Sequence, residues 1–212
     1  MPADPVSAGP RGDLPSVDRL LALSDGVVAI AITLLVLQLS VPKLTDPNSA
    51  SELAAQLGKG ADRLVSYVIS FYVIAQFWLV HHRVFGRITG QQEGLAWWNF
   101  AFLFTITIMP FTSDLLGEFS ANPLAVDIFA ANLLLATVAT ELTVIYGRRK
   151  GLVTAETAQE TRAAQYRVAA SVAVIVLSIG IAWVNPDAAK YFWLLLAVAP
   201  RIADYFSSRQ SA

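Results

Sequence analysis

Long apolar runs separated by short polar segments dominate the sequence. They predict six helices, over about residues 16–41, 57–85, 94–116, 123–146, 166–184 and 188–206. Most of these runs approach the roughly twenty residues that a helix needs to cross a bilayer. The pattern therefore predicts an all-α, polytopic membrane protein with six transmembrane helices in one domain, residues 16–206. The Pro/Gly/Ala-rich segment 1–15 is expected to be a disordered N-terminus, and residues 207–212 a short C-terminal tail.

The first run, residues 19–39, reads RLLALSDGVVAIAITLLVLQL. Its apolar part is longer than the roughly 7–15 residues of a signal-peptide core, and no small-x-small cleavage site follows it. We therefore interpret it as a retained membrane helix. The polar segments 41–56 and 154–165 are harder to assign from the pattern. We expect the first to be a loop, and the second to be a helix that either lies at the surface or extends the fifth span.

Composition agrees with a membrane protein. The chain is 55% hydrophobic and only 15% charged, with a mean hydropathy of +0.54, whereas soluble domains carry about 25% charged residues. Without cysteine, disulfides and thiolate metal sites are excluded. The two histidines are adjacent and cannot form a helical i, i+4 metal pair. Because phosphate-loop, paired-carboxylate and nucleophile-elbow motifs are also missing, we predict no enzymatic activity, metal site, cofactor or nucleic-acid partner.

Basic residues alternate between the two predicted sides of the membrane. Eleven lie on the side of both termini: Arg11, Arg19, Arg83, Arg87, Arg148, Arg149, Lys150, Arg162, Arg167, Arg201 and Arg209. Four lie on the other side: Lys43, Lys59, Arg63 and Lys190. Because lysine and arginine are enriched in cytoplasmic loops, this asymmetry predicts a multi-pass cell-membrane protein with both termini in the cytoplasm.

An acidic residue, Asp25, interrupts the first apolar run. Such a group is costly inside a bilayer unless it is partnered or reaches the headgroups. It is therefore either a helix-end carboxylate in the headgroup region or a member of a polar network between helices. In the second case its partner comes from another helix, and one layer at this depth would hold Ser24, Asp25, one of the two histidines (His81 or His82) and Asn99.

An apolar stripe follows on the same helix. Ile30, Leu34 and Leu37 recur at i, i+4 and i+7 and share one face, with Thr33 beside them. Such a stripe most often serves core packing or lipid contact, and its spacing alone does not distinguish those roles from the lining of a pore.

The first three spans resemble the transmembrane protein 175 family, which includes the lysosomal potassium channel and its bacterial and archaeal relatives. The family signature, Arg, three residues and Phe-Ser-Asp, is matched by Arg19, Ser24 and Asp25, with Leu23 in place of the phenylalanine. The similarity continues in Trp78-Leu-Val-His81-His82, in Asn99 and in the segment 109–118, MPFTSDLLGE.

The resemblance implies a potassium-permeable, potassium-selective channel that assembles as a homotetramer. Four copies of helix one would line the pore, with a filter and gate of stacked apolar rings at Ile30, Thr33, Leu34 and Leu37, narrowest at Ile30. No carbonyl filter of the TVGYG type occurs in the sequence. The interhelical polar network would comprise Arg19, Ser24, Asp25, His81, His82 and Asn99. Two alternatives remain open, a secondary transporter of a small cation and a non-conducting structural membrane protein.

Overall fold

The computed structural model describes residues 16–90, 92–155 and 157–197. Within those ranges the chain forms seven α-helices and two short 3-10 helices. The α-helices are α1 Val17–Leu34, α2 Ala50–Lys59, α3 Ala61–Phe85, α4 Glu93–Glu118, α5 Pro123–Arg149, α6 Ala158–Ala182 and α7 Pro186–Phe192, and the 3-10 helices are Leu35–Gln38 and Trp193–Ala197. The predicted terminal segments 1–15 and 207–212 lie outside the described residues.

Five helical segments of the described chain are long and apolar enough to cross a membrane: Val17–Gln38, Ala61–Phe85, Glu93–Glu118, Pro123–Arg149 and Gln159–Ala182. These spans confirm the all-helical, multi-pass prediction. The predicted sixth span, residues 188–206, coincides with α7 and the second 3-10 helix as far as Ala197, and the rest lies outside the described residues. A sixth span therefore stays a prediction.

Local sequence signals explain where the helices begin. The Ser16 hydroxyl accepts a hydrogen bond from the backbone N–H of Arg19 and caps α1. Asn122 caps α5, which has proline at its first position. Thr157 and Glu160 form a capping box at the start of α6. The capping box lies inside the polar segment 154–165, so most of this segment belongs to α6. It therefore extends the fifth span, which was one of the two expectations for this segment.

The helix α4 lies at the centre of the bundle. It packs against α1, α3 and α5, and α5 packs in turn against α6. The main core contains buried residues of α3, α4 and α5, among them Ile74, Phe102, Ile106, Phe129 and Leu133. We call the end of the bundle at which α1 begins the proximal end, and the end at which α1 stops the distal end.

The short helix α2 corrects the prediction for the connection between the first two spans. A polar loop was expected over residues 41–56, with the second span starting near Leu57. Instead α2 occupies residues 50–59, and the span α3 begins at Ala61. The Ser49 hydroxyl caps α2 by accepting from the N–H of Glu52, and Gly60 separates the two helices. The prediction missed the helix because its composition resembles that of a polar loop.

A buried lysine holds α7 against α3 at the distal end. The Lys190 side chain is 1% exposed, and its ammonium lies 2.7 Å from Asp187 and 3.6 Å from Asp62. These two acidic partners are themselves 66% and 57% exposed. The Ser120 hydroxyl, in the turn between α4 and α5, donates to Asp62 over 2.7 Å. The ion pairs and this hydrogen bond together connect α7, α3 and the turn between α4 and α5.

The two proximal loops pair through a short antiparallel bridge between Ile88 and Val153. The N–H of Thr89 donates to the carbonyl of Leu152 over 2.7 Å, and the N–H of Thr154 donates to the carbonyl of Arg87 over 3.0 Å. We call this contact the loop bridge. It joins the hairpin of α3 and α4 to the hairpin of α5 and α6.

Candidate functional site: the first membrane helix and its anchors

The helix α1 has one buried and one exposed face. The buried face contains Leu20, Ser24, Val28 and Ala31, and continues with Leu35 in the 3-10 helix. These positions repeat every three or four residues, which places them on one side of the helix. That side packs against α3 and α4, so the opposite side is left uncovered.

A hydrogen-bonded network anchors the buried face at the proximal end. His81 Nε2 lies 2.8 Å from Asn99 Oδ1, and the Asn99 amide nitrogen donates to Ser24 Oγ over 3.1 Å. Ser24 Oγ in turn donates to the carbonyl of Leu20 over 2.8 Å. Because the Asn99 oxygen accepts, the hydrogen-bond pattern assigns the imidazole proton to Nε2. Asn99 of α4 thus joins α1 to α3.

The His81 ring lies between two phenylalanines. Its centroid is 4.3 Å from that of Phe85 and 4.7 Å from that of Phe102, with both pairs stacked. His81 Nδ1 is buried and has no hydrogen-bond partner among the described residues. The imidazole is therefore fixed by Asn99 at one nitrogen and by two aromatic faces.

Asp25 lies beside this network and has a different partner. Its carboxylate accepts a hydrogen bond of 2.8 Å from Trp78 Nε1 on α3. The Trp78 ring also packs against the ring of His82, with centroids 5.6 Å apart. Asp25 therefore has a partner on another helix, as one of the two expectations for it required, and this partner is Trp78. The sequence analysis included Trp78 in the family resemblance but did not place it in the network.

Besides Asp25, two more residues predicted for the network lie outside it. The side chains of Arg19 and His82 are exposed, and within the described chain no hydrogen bond joins either of them to Ser24, Asn99 or His81. The structure thus answers which histidine contacts Asn99. His81 is one helical position from His82, about 100° around α3, so only one ring can face α4.

A second polar cluster anchors the 3-10 helix at the distal end. The Gln38 amide donates to the carbonyl of Pro110 over 2.8 Å. Ser113 donates to Gln38 Oε1 over 2.9 Å, and Ser70 donates to Ser113 over 2.7 Å. Sequence reasoning missed this cluster. The available signal was Gln38 itself, a polar residue at the end of an apolar run, together with serines at the same depth of α3 and α4.

The predicted pore positions lie together on the uncovered face. Ile30 is 61% exposed, Leu34 43% and Leu37 75%. Thr33 is exposed as well, and its hydroxyl donates to the carbonyl of Ile30 over 2.8 Å. From Ile30 to Leu34 the α-helix rises about 6 Å, and the three residues to Leu37 add about 6 Å in 3-10 geometry. The uncovered stripe is therefore about 12 Å long.

Comparisons with known proteins agree with this architecture. A family profile described as endosomal/lysosomal potassium channel TMEM175 matches residues 19–110. A potassium channel of Streptomyces collinus is 36% identical over 124 residues, which are 58% of this chain and 59% of that protein. A potassium channel of a Chryseobacterium species is 29% identical over 189 residues, covering 88% of this chain and 93% of that protein.

A solved structure extends the similarity to the fold. The crystal structure of a lysosomal potassium-selective channel TMEM175 homolog from Chamaesiphon minutus matches with a TM-score of 0.68 and 25% sequence identity. The match covers 92% of this chain and 98% of that structure. The Streptomyces match, in contrast, spans about three-fifths of the relative's length. The profile, the relatives and the shared fold together show that the chain is similar to proteins of the transmembrane protein 175 (TMEM175) family.

Proposed function

We propose that the chain is one subunit of a potassium-permeable channel in which copies of α1 surround the ion path. The observation that carries this proposal is the contrast between the two faces of α1. One face is hydrogen-bonded to α3 and α4 near both ends, through Asn99 and through Gln38. The other presents a stripe of large apolar side chains that the described part of this chain leaves uncovered.

A homotetramer is the assembly that we propose, with four copies of the uncovered stripe facing a common axis. Ile30 then forms the narrowest ring, and Thr33, Leu34 and Leu37 extend the path. Apolar rings exclude water when they are narrow and admit a partly dehydrated ion when they are wider. Potassium loses hydration water at lower cost than sodium, so such a constriction favours potassium. The names of the bacterial relatives as potassium channels support this reading.

The membrane orientation is part of the same proposal. Arg83, Arg149 and Lys150 are exposed at the proximal end, where they are expected to lie in the cytoplasm. The cell membrane, with both termini inside, is then the location of the protein, and potassium ions, lipid and further copies of the chain are its partners.

The test is potassium and sodium flux through the purified full-length chain in liposomes, with Ile30→Asn as the variant. A ring of amides hydrates the constriction, and we expect sodium flux to rise at least several-fold relative to potassium flux. The matched control is Leu135→Asn, because Leu135 is 58% exposed, close to the 61% of Ile30, and lies on α5, which packs mainly against α4 and α6.

The outcomes separate the alternatives. Unchanged conductance and selectivity in Ile30→Asn would remove Ile30 from the ion path. Flux that is strictly coupled to a second ion would indicate a secondary transporter instead. Liposomes without any ion flux, despite correctly folded protein, would favour a structural role.

A further inference from the structure

In the short helix α2 the polar residues Glu52 and Gln56 are half-buried, whereas the apolar residues are exposed. Leu53 and Leu57 are 40% and 57% exposed, and together with Ala50 and Ala54 they occupy positions i, i+3, i+4 and i+7 of one face. A helix on the surface of a soluble protein has the reverse arrangement, with its apolar face packed on the core.

The polar side of α2 is held in place by hydrogen bonds. The Glu52 carboxylate accepts from the backbone N–H groups of Thr45 and Asp46, over 2.7 and 3.0 Å. Glu52 and Gln56, one turn apart, are half-buried. Because this side binds the preceding loop, the orientation of α2 is fixed and its leucines cannot turn inward without breaking both bonds.

The location of α2 indicates which medium covers Leu53 and Leu57. The 3-10 helix that ends the first span stops at Gln38, and the next span begins at Ala61, one residue after α2. On that span Leu64 and Val68 are also outward-facing, at 51% and 52% exposure. The helix α2 therefore lies where two spans leave the membrane, next to a surface that is itself apolar.

We propose that α2 is an interfacial helix whose Leu53 and Leu57 face inserts into the acyl-chain boundary of the bilayer at the distal end. Amphipathic helices bind membranes in this way, with the apolar face below the headgroups. Lys59, exposed at the end of α2, can extend its ammonium to the headgroups. A second copy of the chain is the alternative occupant, which the experiment distinguishes from lipid.

Spin labelling tests the proposal directly, since the chain has no cysteine of its own. Leu57→Cys and Leu53→Cys each introduce a sole thiol on the apolar face, and Lys59→Cys introduces one on the polar face as the matched control. The labelled full-length chain is reconstituted in phosphatidylcholine and phosphatidylglycerol liposomes. Collision with oxygen, which partitions into lipid, is then compared with collision with a water-soluble nickel chelate.

We expect the oxygen-to-nickel collision ratio at positions 53 and 57 to exceed that at position 59 at least threefold. Equal ratios, with strong nickel collision at all three sites, would overturn the proposal and place α2 in water. Low collision with both reagents at positions 53 and 57 would also overturn it, because a second copy would then cover the face. The proposal does not depend on channel activity, which the flux experiment measures separately.

Discussion

Asn99 is the residue on which the proximal anchor depends most. It is fully buried and hydrogen-bonds to both Ser24 and His81. Replacing it with alanine removes two interhelical hydrogen bonds at once. His81 Nε2 is then left without an acceptor, and Nδ1 of the same ring already has no partner.

The magnitude follows from these contacts. Interhelical hydrogen bonds in membrane proteins contribute about 0.6 kcal/mol each on average, so two contribute about 1.2 kcal/mol. A buried donor that loses its acceptor costs about 1–3 kcal/mol more. We therefore expect Asn99→Ala to lower the free energy of unfolding by about 2–4 kcal/mol.

Equilibrium unfolding in mixed detergent micelles, followed by the fluorescence of the five tryptophans, measures this loss. A double-mutant cycle with His81→Phe separates the hydrogen bond from the cavity that alanine leaves. We expect a coupling energy of about 0.6–1.7 kcal/mol. The matched control is Asn132→Ala, a buried asparagine whose amide donates to the carbonyl of Thr105. It strands no histidine, and it should show no coupling to His81→Phe.

Additive effects of Asn99→Ala and His81→Phe, within about 0.3 kcal/mol, would refute the reasoning, because contacting groups in one network are coupled by at least 0.5 kcal/mol. An equally large loss in Asn132→Ala would also contradict it. In that case the cavity, and not the interrupted network, would account for the cost.

Three further predictions concern other parts of the chain. Replacing both acidic partners of Lys190, Asp62 and Asp187, with asparagine should lower the free energy of unfolding by about 3–5 kcal/mol because a buried ammonium loses its counter-charges. Lys190→Met should lower it clearly less because the two carboxylates are exposed. Thermal melting of both variants checks this order. Gly117→Ala should destabilise by about 1 kcal/mol because its Cβ would lie 3.1 Å from the Cα of Arg63, whereas Gly180→Ala, with nothing within 4 Å, should be neutral or stabilising. Hydrogen bonds from two backbone N–H groups lower the pKa of the Glu52 carboxyl below its ordinary value of 4.5. The stabilisation by these bonds is therefore present above pH 4.5 and is lost as the pH falls through the lowered pKa. Amide exchange of residues 45–52 should become faster below the lowered pKa in the wild type but not in Glu52→Gln.

The periodic part of the fold was predictable because hydrophobic length and charge determine membrane spans. The predicted spans over 94–116 and 123–146 differ from α4 and α5 by at most three residues at either end. The helix α2 escaped prediction because its apolar face points away from the protein, so that it resembles a polar loop in composition. Hydropathy reports burial in an apolar medium and does not say whether protein or lipid provides it.

The sequence predicted which residues lie in the candidate site better than it predicted which of them form hydrogen bonds with each other. Depth along the helices brings Ser24, His81 and Asn99 to one layer, and the structure joins them by hydrogen bonds. The choice between the two histidines depends on the rotation of α3 about its axis, which sequence does not specify. The hydrogen bond from Trp78 to Asp25 was harder to predict. A tryptophan in a membrane span is usually attributed to packing of its apolar ring, and its single N–H donor is easily overlooked.

The loop bridge has a consequence for how the chain is made. Thr89 is synthesised 63 residues before its partner Leu152, which at 5–20 residues per second is a delay of roughly 3–13 s. During that interval α4 and α5 are synthesised, so that α3 and α4 can pack before the loop between them meets its partner loop. A ribosome-bound chain that is truncated after α4 but before Leu152 therefore contains Ser24, His81 and Asn99 of the proximal network and lacks the loop bridge.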